Sequence, residues 1–142
     1  MSLSRIMLIL ALWLFSSVCA ANAVPEILRW HYVVVSTPGF YGPPKTNSSQ
    51  YRAPNPIKIS MPERLPCTAE ELMGAFEAVV QSDGVVKNAR YYPPSGTSGR
   101  TEATVCQKQY IIPLINGWQF TPATYEEKPI EVIIRVFVEP KW

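Results

Sequence analysis

The sequence predicts an α+β fold, a small antiparallel sheet of three to four strands with two helices on one face. Three observations indicate it. Residues 130–138 alternate β-branched with other side chains, as a half-buried strand does. Residues 76–92 form two strand-like runs joined by Asp83-Gly84, a dipeptide typical of hairpin turns. Two segments with helical patterns flank this hairpin, so the predicted order is helix, strand, strand, helix, strand.

The first 23 of the 142 residues have the pattern of a signal peptide. Arg5 supplies the charged beginning, residues 6–18 are mostly apolar, and Ala21-Asn22-Ala23 offers small side chains at a cleavage site, with Ala20 as a second possible cut. A retained membrane anchor is the alternative. The apolar run is shorter than the roughly 20 residues that a spanning helix needs. We therefore expect export, with the mature chain beginning at residue 24.

Two of the three cysteines, Cys67 and Cys106, lie beyond the signal peptide. An even pair in an exported protein indicates a disulfide. Closing a loop of about 40 residues would stabilise the fold by about 4 kcal/mol in the chain-entropy estimate. Two buried free thiols are the alternative.

Residues 24–60 are predicted to form an extension in front of the domain, which spans residues 61–142. Within the extension, residues 27–36 are rich in β-branched and aromatic side chains and predict a strand. Residues 37–56 hold five prolines. Because proline donates no backbone hydrogen bond, we expect this part to be irregular and to lie outside any sheet.

The domain opens with a predicted short helix and a hairpin. Thr68 and Glu71 have the spacing of a capping box, and Gly74 is expected to end that helix. In the following strand, alternate residues would face the core. Asp83-Gly84 predicts a two-residue type I′ turn, in which both central positions need positive φ, and the return strand is expected over residues 85–92.

A second helix and a last strand complete the predicted domain. Pro113 should kink or tighten the end of the helix, and Asn116-Gly117 is a plausible stop. The predicted buried face of this helix consists of Ala103, Cys106, Tyr110 and Leu114. The predicted inner face of the last strand consists of Ile130, Val132, Ile134, Val136 and Val138.

The connector between them is rich in aromatic residues and proline. Trp118 and Phe120, two residues apart, should point the same way and close the end of the sheet, while Pro122 stiffens the turn. We interpret all three, like Asp83 and Gly84, as structural residues.

The sequence offers little for catalysis or metal binding. It contains one histidine, His31, and if the two remaining cysteines pair, no zinc ligand set is left. We therefore expect no enzymatic activity, no cofactor and no small-molecule substrate. The formal net charge of +2 gives no reason to expect nucleic acid or an anionic membrane as a partner.

From residue 62 to residue 140, the chain resembles the C-terminal domain of the TonB family of energy transducers from Gram-negative bacteria. Six short motifs occur in the family's order. They are Leu65-Pro66-Cys67-Thr68-Ala69, the strand 74–80, the hairpin 83–88 ending in Asn88, Ser95-Gly96, the segment 117–123 with its Trp-x-Phe-x-Pro-Ala signature, and Lys128-Pro129-Ile130.

The resemblance implies a domain that binds protein by strand addition. An extended segment of a partner, such as an outer-membrane receptor, would pair with the sheet edge near the last strand. By position, the candidate edge consists of Ile130, Val132, Ile133, Ile134, Arg135, Val136, Phe137 and Val138.

Departures from the family leave three hypotheses. The family's transducers keep an N-terminal membrane helix with a Ser/His pair and a long linker, whereas the apolar run here is short and lacks histidine. The main expectation is an exported periplasmic protein-binding domain. The alternative is a short transducer, anchored in the inner membrane by a retained N-terminus. In a third hypothesis, the protein has a purely structural role, and residues 27–35 cap the domain's own binding edge.

Overall fold

The structure is a computed structural model, and it describes residues 28–36, 50–62, 64–95 and 99–141. The predicted signal peptide, residues 37–49 and Gly96 of the predicted Ser-Gly loop lie outside the described residues. The elements, in chain order, are β1 (Leu28–Ser36), β2 (Tyr51–Arg52), β3 (Asn55–Lys58), α1 (Ala69–Leu72), β4 (Gly74–Val80), β5 (Val86–Tyr92), a π-helical turn (Gln107–Ile111) that continues into α2 (Ile112–Asn116), β6 (Gln119–Thr121), β7 (Ala123–Tyr125), β8 (Lys128–Ile130) and β9 (Val132–Pro140).

The described chain is mostly β, with an antiparallel four-stranded sheet in the order β1-β9-β4-β5. Two smaller sheets, β2-β7-β8 and β3-β6, accompany it. Each strand of the predicted extension pairs with a strand of residues 61–142: β1 with β9, β2 with β7 and β3 with β6. The extension is therefore joined to the rest of the fold by backbone hydrogen bonds along three strands.

The Pro-rich segment is more regular than its prolines predict. Residues 51–52 and 55–58 are strands, and Pro56 pairs with Phe120. The expectation that this part lies outside any sheet is wrong for these residues. β3 belongs to a two-stranded ribbon with an irregular register between Pro56 and Lys58, and proline is tolerated in such edge strands.

The core lies on one face of the four-stranded sheet, and the predicted alternation in β4 and β9 is confirmed. Leu72 of α1 and Ile111 and Ile115 of the second helix are fully buried in the same cluster. The sheet contributes Phe76, Ala78, Val80, Val86, Val132, Ile134, Val136 and Val138, each at most 1% exposed. The prediction that Ile130 belongs to the last strand is wrong. The strand is interrupted at Glu131, and Ile130 belongs to β8.

The predicted capping box at α1 is confirmed. The Glu71 backbone N–H donates to the Thr68 hydroxyl oxygen at 3.3 Å, and the Thr68 N–H donates to the Glu71 carboxylate at 2.8 Å. These two reciprocal bonds form the capping box, and the Glu71 N–H also donates to the Thr68 carbonyl at 3.1 Å. The helix is one turn long and ends before Gly74, the first residue of β4.

The second helix runs over residues 105–116 and ends at Asn116, as predicted. Its fully buried residues, however, are Gln107, Ile111 and Ile115. Each lies one position later in the sequence than a residue of the predicted buried face. The pattern missed Gln107 because it is polar. Its side chain can be buried because the amide nitrogen donates to the Met73 carbonyl and the amide oxygen accepts from the Thr104 N–H, both at 2.9 Å.

A disulfide joins Cys67 to Cys106, with a Cα–Cα distance of 6.5 Å. The predicted pairing is therefore confirmed. It ties the segment in front of α1 to the first turn of the second helix, so both helical pieces are held over the same core.

The β4–β5 hairpin has a different turn from the predicted one. The loop has three residues, because Gln81 N–H donates to the Val85 carbonyl at 3.0 Å and Gly84 N–H donates to the Gln81 carbonyl at 2.8 Å. Only Gly84 has positive φ, at 84°. Asp83 instead accepts the Val85 N–H on its side chain at 3.0 Å. The type I′ prediction is wrong here, and a three-residue hairpin with glycine in the left-handed position replaces it.

Positive φ at two successive turn positions occurs at the β7–β8 hairpin instead. Glu126 and Glu127, with φ of 50° and 66°, form its two-residue loop. The pattern gave no sign of this turn, since glutamate is not a typical residue there.

Gly84 is also a point of close backbone approach. The Phe120 N–H donates to the Gly84 carbonyl at 2.9 Å, and a Cβ at position 84 would lie 1.8 Å from the Phe120 carbonyl oxygen. The structural role predicted for this glycine thus has a physical basis, since the hairpin loop contacts β6 through backbone atoms.

We expect Gly84→Ala to lower the free energy of unfolding by about 2 kcal/mol or more, because it adds both left-handed strain and a backbone clash. Urea unfolding followed by circular dichroism measures this. Gly117→Ala is the matched control, since its Cβ would meet no atom closer than 3.4 Å. Equal stability of the two variants would contradict the close approach.

Candidate functional site: the open edge of the four-stranded sheet

The strand predicted to be the binding edge is an interior strand. β9 pairs with β1 on one side and with β4 on the other. Of its predicted site residues, Val132, Ile134, Val136 and Val138 face the core, and Ile133, Arg135 and Phe137 are half-buried on the outer face. The prediction that β9 offers a free edge is therefore wrong. The alternation of a strand indicates which face is buried, but it does not indicate how many neighbours the strand has.

The strand that pairs with β9 at its outer side is β1. Alternate side chains of β1 point to the core side of the sheet and pack there. Leu28 is 4% exposed. The Trp30 ring lies 5.0 Å from that of Trp118, and Tyr32 meets Phe120 edge to face at 5.3 Å. Burial raises the pKa of Tyr32 above its usual value. Trp118 and Phe120 close the end of the core, as predicted, and β1 supplies the side chains that cover them.

The outer face of β1 is held by cross-strand pairs with β9. Arg29 forms an ion pair with Glu139 at 3.1 Å, and His31 stacks on Phe137 at 4.9 Å. His31 is thus engaged in packing. Together with the inner-face contacts, these pairs make β1 an integral strand of the sheet.

The sheet has two outer edges, and the edge formed by β5 is protected. Asn88 has a φ of 58° at a bulge in this strand, which explains structurally why asparagine suits the end of the hairpin motif. The next amide, Ala89 N–H, donates to the Asn116 side chain at 2.9 Å, and α2 packs along β5. Exposed Lys87 and Arg90 add charge. Bulges, charges and a covering helix are the devices that prevent strand pairing at an edge.

The edge formed by β1 has fewer of these devices, since its one irregularity lies near its end, between Val34 and Ser36. Within the described residues, no strand pairs with its outer side. β1 is nine residues long, contains no proline, carries one formally charged side chain, Arg29, and keeps a regular register with β9 from residue 28 to Val34. Val33 is 44% exposed on it. A long, regular, apolar edge is a template for pairing with another extended chain, and this edge is the candidate site.

Pro122 and the disulfide cysteines belong to other parts of the fold than β1. Pro122 stands between β6 and β7. Among the described residues, the one cluster with metal-ligand spacing is Cys67, Glu71 and Cys106, but the two sulfur atoms are bonded to each other.

Thr104 and Gln107 form a second capping box, with the Gln107 N–H donating to the Thr104 hydroxyl at 3.0 Å. Its Thr-x-x-Gln spacing was a readable signal that sequence analysis missed.

A charge network crosses the outer face of the sheet. The Glu77 carboxylate accepts from Arg135 at 2.9 Å and from Arg90 at 3.0 Å, and the Arg135 guanidinium lies 3.9 Å from the Tyr92 ring centre. Burial acts to raise the pKa of Glu77, but the hydrogen bonds and charges of the two arginines outweigh it, so the pKa lies below its usual value.

No protein-family model, curated protein or solved structure matches the chain. Among the described residues, no helix has the length and apolarity needed to cross a membrane.

The Glu77 network should make stability depend on pH. A carboxyl whose pKa is lowered by folding stabilises the protein above its unfolded pKa of about 4.3, and that contribution is lost as pH falls through the folded value. We expect Glu77→Gln to destabilise the protein by about 1–3 kcal/mol at neutral pH, with the difference from wild type shrinking on acidification below about pH 4.

Chemical unfolding at several pH values measures this difference. Glu139→Gln is the control, because its pair with Arg29 is exposed and surface pairs contribute about 0–1 kcal/mol. A Glu77→Gln effect that stays constant down to low pH would contradict the network's role.

Proposed function

We propose that this protein is an exported, non-enzymatic protein-binding domain that takes up an extended segment of a partner by strand addition. The observation that carries the proposal is the contrast between the two sheet edges. β5 is bulged, charged and packed against α2, whereas β1 is long, keeps a regular register with β9 from Leu28 to Val34, and has no strand on its outer side among the described residues. In strand addition, backbone hydrogen bonds provide the affinity and side-chain pairs provide the specificity.

The partner would pair with β1 and leave β9 covered. Displacing β1 would expose Trp118 and Phe120, which are 1% and 2% exposed, and would break the Arg29–Glu139 and His31–Phe137 pairs. Adding a strand to the outer side of β1 breaks none of these contacts. In the proposed domain, β1 covers the edge of β9, where the family resemblance implies strand addition. β1 then provides a new edge one strand further out.

The resemblance to the TonB C-terminal domain supports this proposal. The proposed fold is an α+β domain of that type, in which α1 and the helix over residues 105–116 lie on one face of the sheet. The motifs that carry the resemblance have structural roles. Gly84 approaches the Phe120 backbone, Asn88 forms the bulge, and Trp118 donates to the Ser60 carbonyl at 3.0 Å.

Export to the periplasm is the proposed location. The signal-like residues 1–23 and the Cys67–Cys106 disulfide both suit an oxidising compartment. Cleavage after Ala23 would leave the whole of β1 in the mature protein. The proposed partner is a receptor or another protein of the cell envelope.

Photo-crosslinking in cells tests the proposed binding edge. A photoreactive amino acid at Val33 should give an adduct with a second protein, because position 33 lies on the open edge. The same amino acid at Val105, which is 78% exposed on the second helix, is the control and should give none. Equal adducts at both positions, or none with another protein at position 33, would contradict the proposal.

A further inference from the structure

The edge formed by β1 has a side-chain pattern that is complementary to itself. In an antiparallel pair related by a two-fold axis, the register centred on Val33 places Val33 opposite its own copy and Tyr32 opposite Val34. These three residues lie in the regular part of β1, before the irregularity between Val34 and Ser36. Pairs between aromatic and β-branched residues, or between two β-branched residues, are favourable across strands. Among the large hydrophobic side chains exposed in the described chain, Val33 is the one that belongs to the four-stranded sheet.

Charge does not oppose this pairing. Arg29, the one formally charged residue of β1, already forms an ion pair with Glu139 of its own chain at 3.1 Å. In the register centred on Val33, the two Arg29 positions would be eight residues apart along the strands, roughly 27 Å at about 3.4 Å per residue. That distance exceeds the Debye length of about 8 Å at physiological salt. The formal net charge of +2 adds little repulsion between copies.

We propose that two copies of this chain pair reversibly through β1, forming one continuous eight-stranded antiparallel sheet and covering the partner-binding edge until a partner takes it. This inference rests on the proposed function, because both require that the outer side of β1 accepts an extended strand. The two-fold arrangement is closed, since each copy uses its only open β1 edge. The pair therefore ends at two copies and does not grow into a fibre.

Sedimentation analysis of the protein purified from cells tests the pairing. With increasing concentration, the mass should rise from that of one chain to that of two and no further. Val33→Lys places two like charges opposite each other and should raise the dissociation constant by about tenfold or more. Val105→Lys, on the exposed helix surface, should leave the dissociation constant unchanged. A monomer at all concentrations, or equal effects of the two variants, would overturn the inference.

A cysteine at position 33 tests the register. Residues directly opposite in an antiparallel pair have Cα atoms about 4.5–5.5 Å apart, within the range that a disulfide spans. Val33→Cys should therefore form a linked dimer under mild oxidation, many times faster than Val105→Cys. Equal rates would contradict pairing through β1.

The two proposals fail in different ways. If Val33 crosslinks to another protein in cells while the purified chain stays monomeric, partner binding stands and self-pairing is wrong. If the chain dimerises through position 33 but forms no adduct with another protein, self-pairing stands and the proposed partner binding is wrong.

Discussion

The pairing of β1 with β9 is the interaction on which the rest of the structure depends. It joins Leu28 to Pro140, so the sheet is complete only when the two ends of the described chain meet. Such a contact carries the largest loop-closure cost in the fold. It is compensated on the inner face, where Trp30 and Tyr32 cover Trp118 and Phe120. Without β1, the end of the core would be open to solvent.

This constraint also limits where the proposed partner could pair with the four-stranded sheet. Because β9 has neighbours on both sides, its backbone is not available for strand addition while β1 is in place. The opposite edge is bulged at Asn88 and covered by α2. What remains is the outer side of β1, a strand with few charges and no bulge along most of its length. Binding and self-pairing are therefore proposed at the same backbone groups, and each would exclude the other.

Local signals in the sequence were sufficient for several elements. The alternation in β4 and β9, the Thr68–Glu71 capping box, the strand at β1 and the Cys67–Cys106 pair were all predicted, because each depends on neighbouring residues or on simple cysteine counting. The candidate site was not predicted in the same way. Which strands lie side by side is a tertiary property. The hypothesis that residues 27–35 cap the edge near the last strand is confirmed for the position of β1 beside β9, but it came from the family resemblance and not from a local pattern in β1.

The remaining differences have local physical causes. Gln107 is buried because both the nitrogen and the oxygen of its side-chain amide are hydrogen-bonded, which a hydrophobic pattern cannot indicate. Glu126 and Glu127 adopt positive φ in a turn where glycine or asparagine is usual. Pro56 lies in a strand because a two-stranded ribbon tolerates it.

Hydrogen exchange of individual amides in β9, measured at a protein concentration low enough to keep single chains, tests whether β9 is an interior strand. In an interior strand, successive N–H groups point to alternate neighbours and all are bonded. If β1 covers β9, every amide from Ile133 to Val138 should exchange slowly, and every second amide of β1 should exchange fast. If every second amide of β9 exchanged as fast as those of β1, β9 would have an open edge, which would contradict the pairing of β1 with β9.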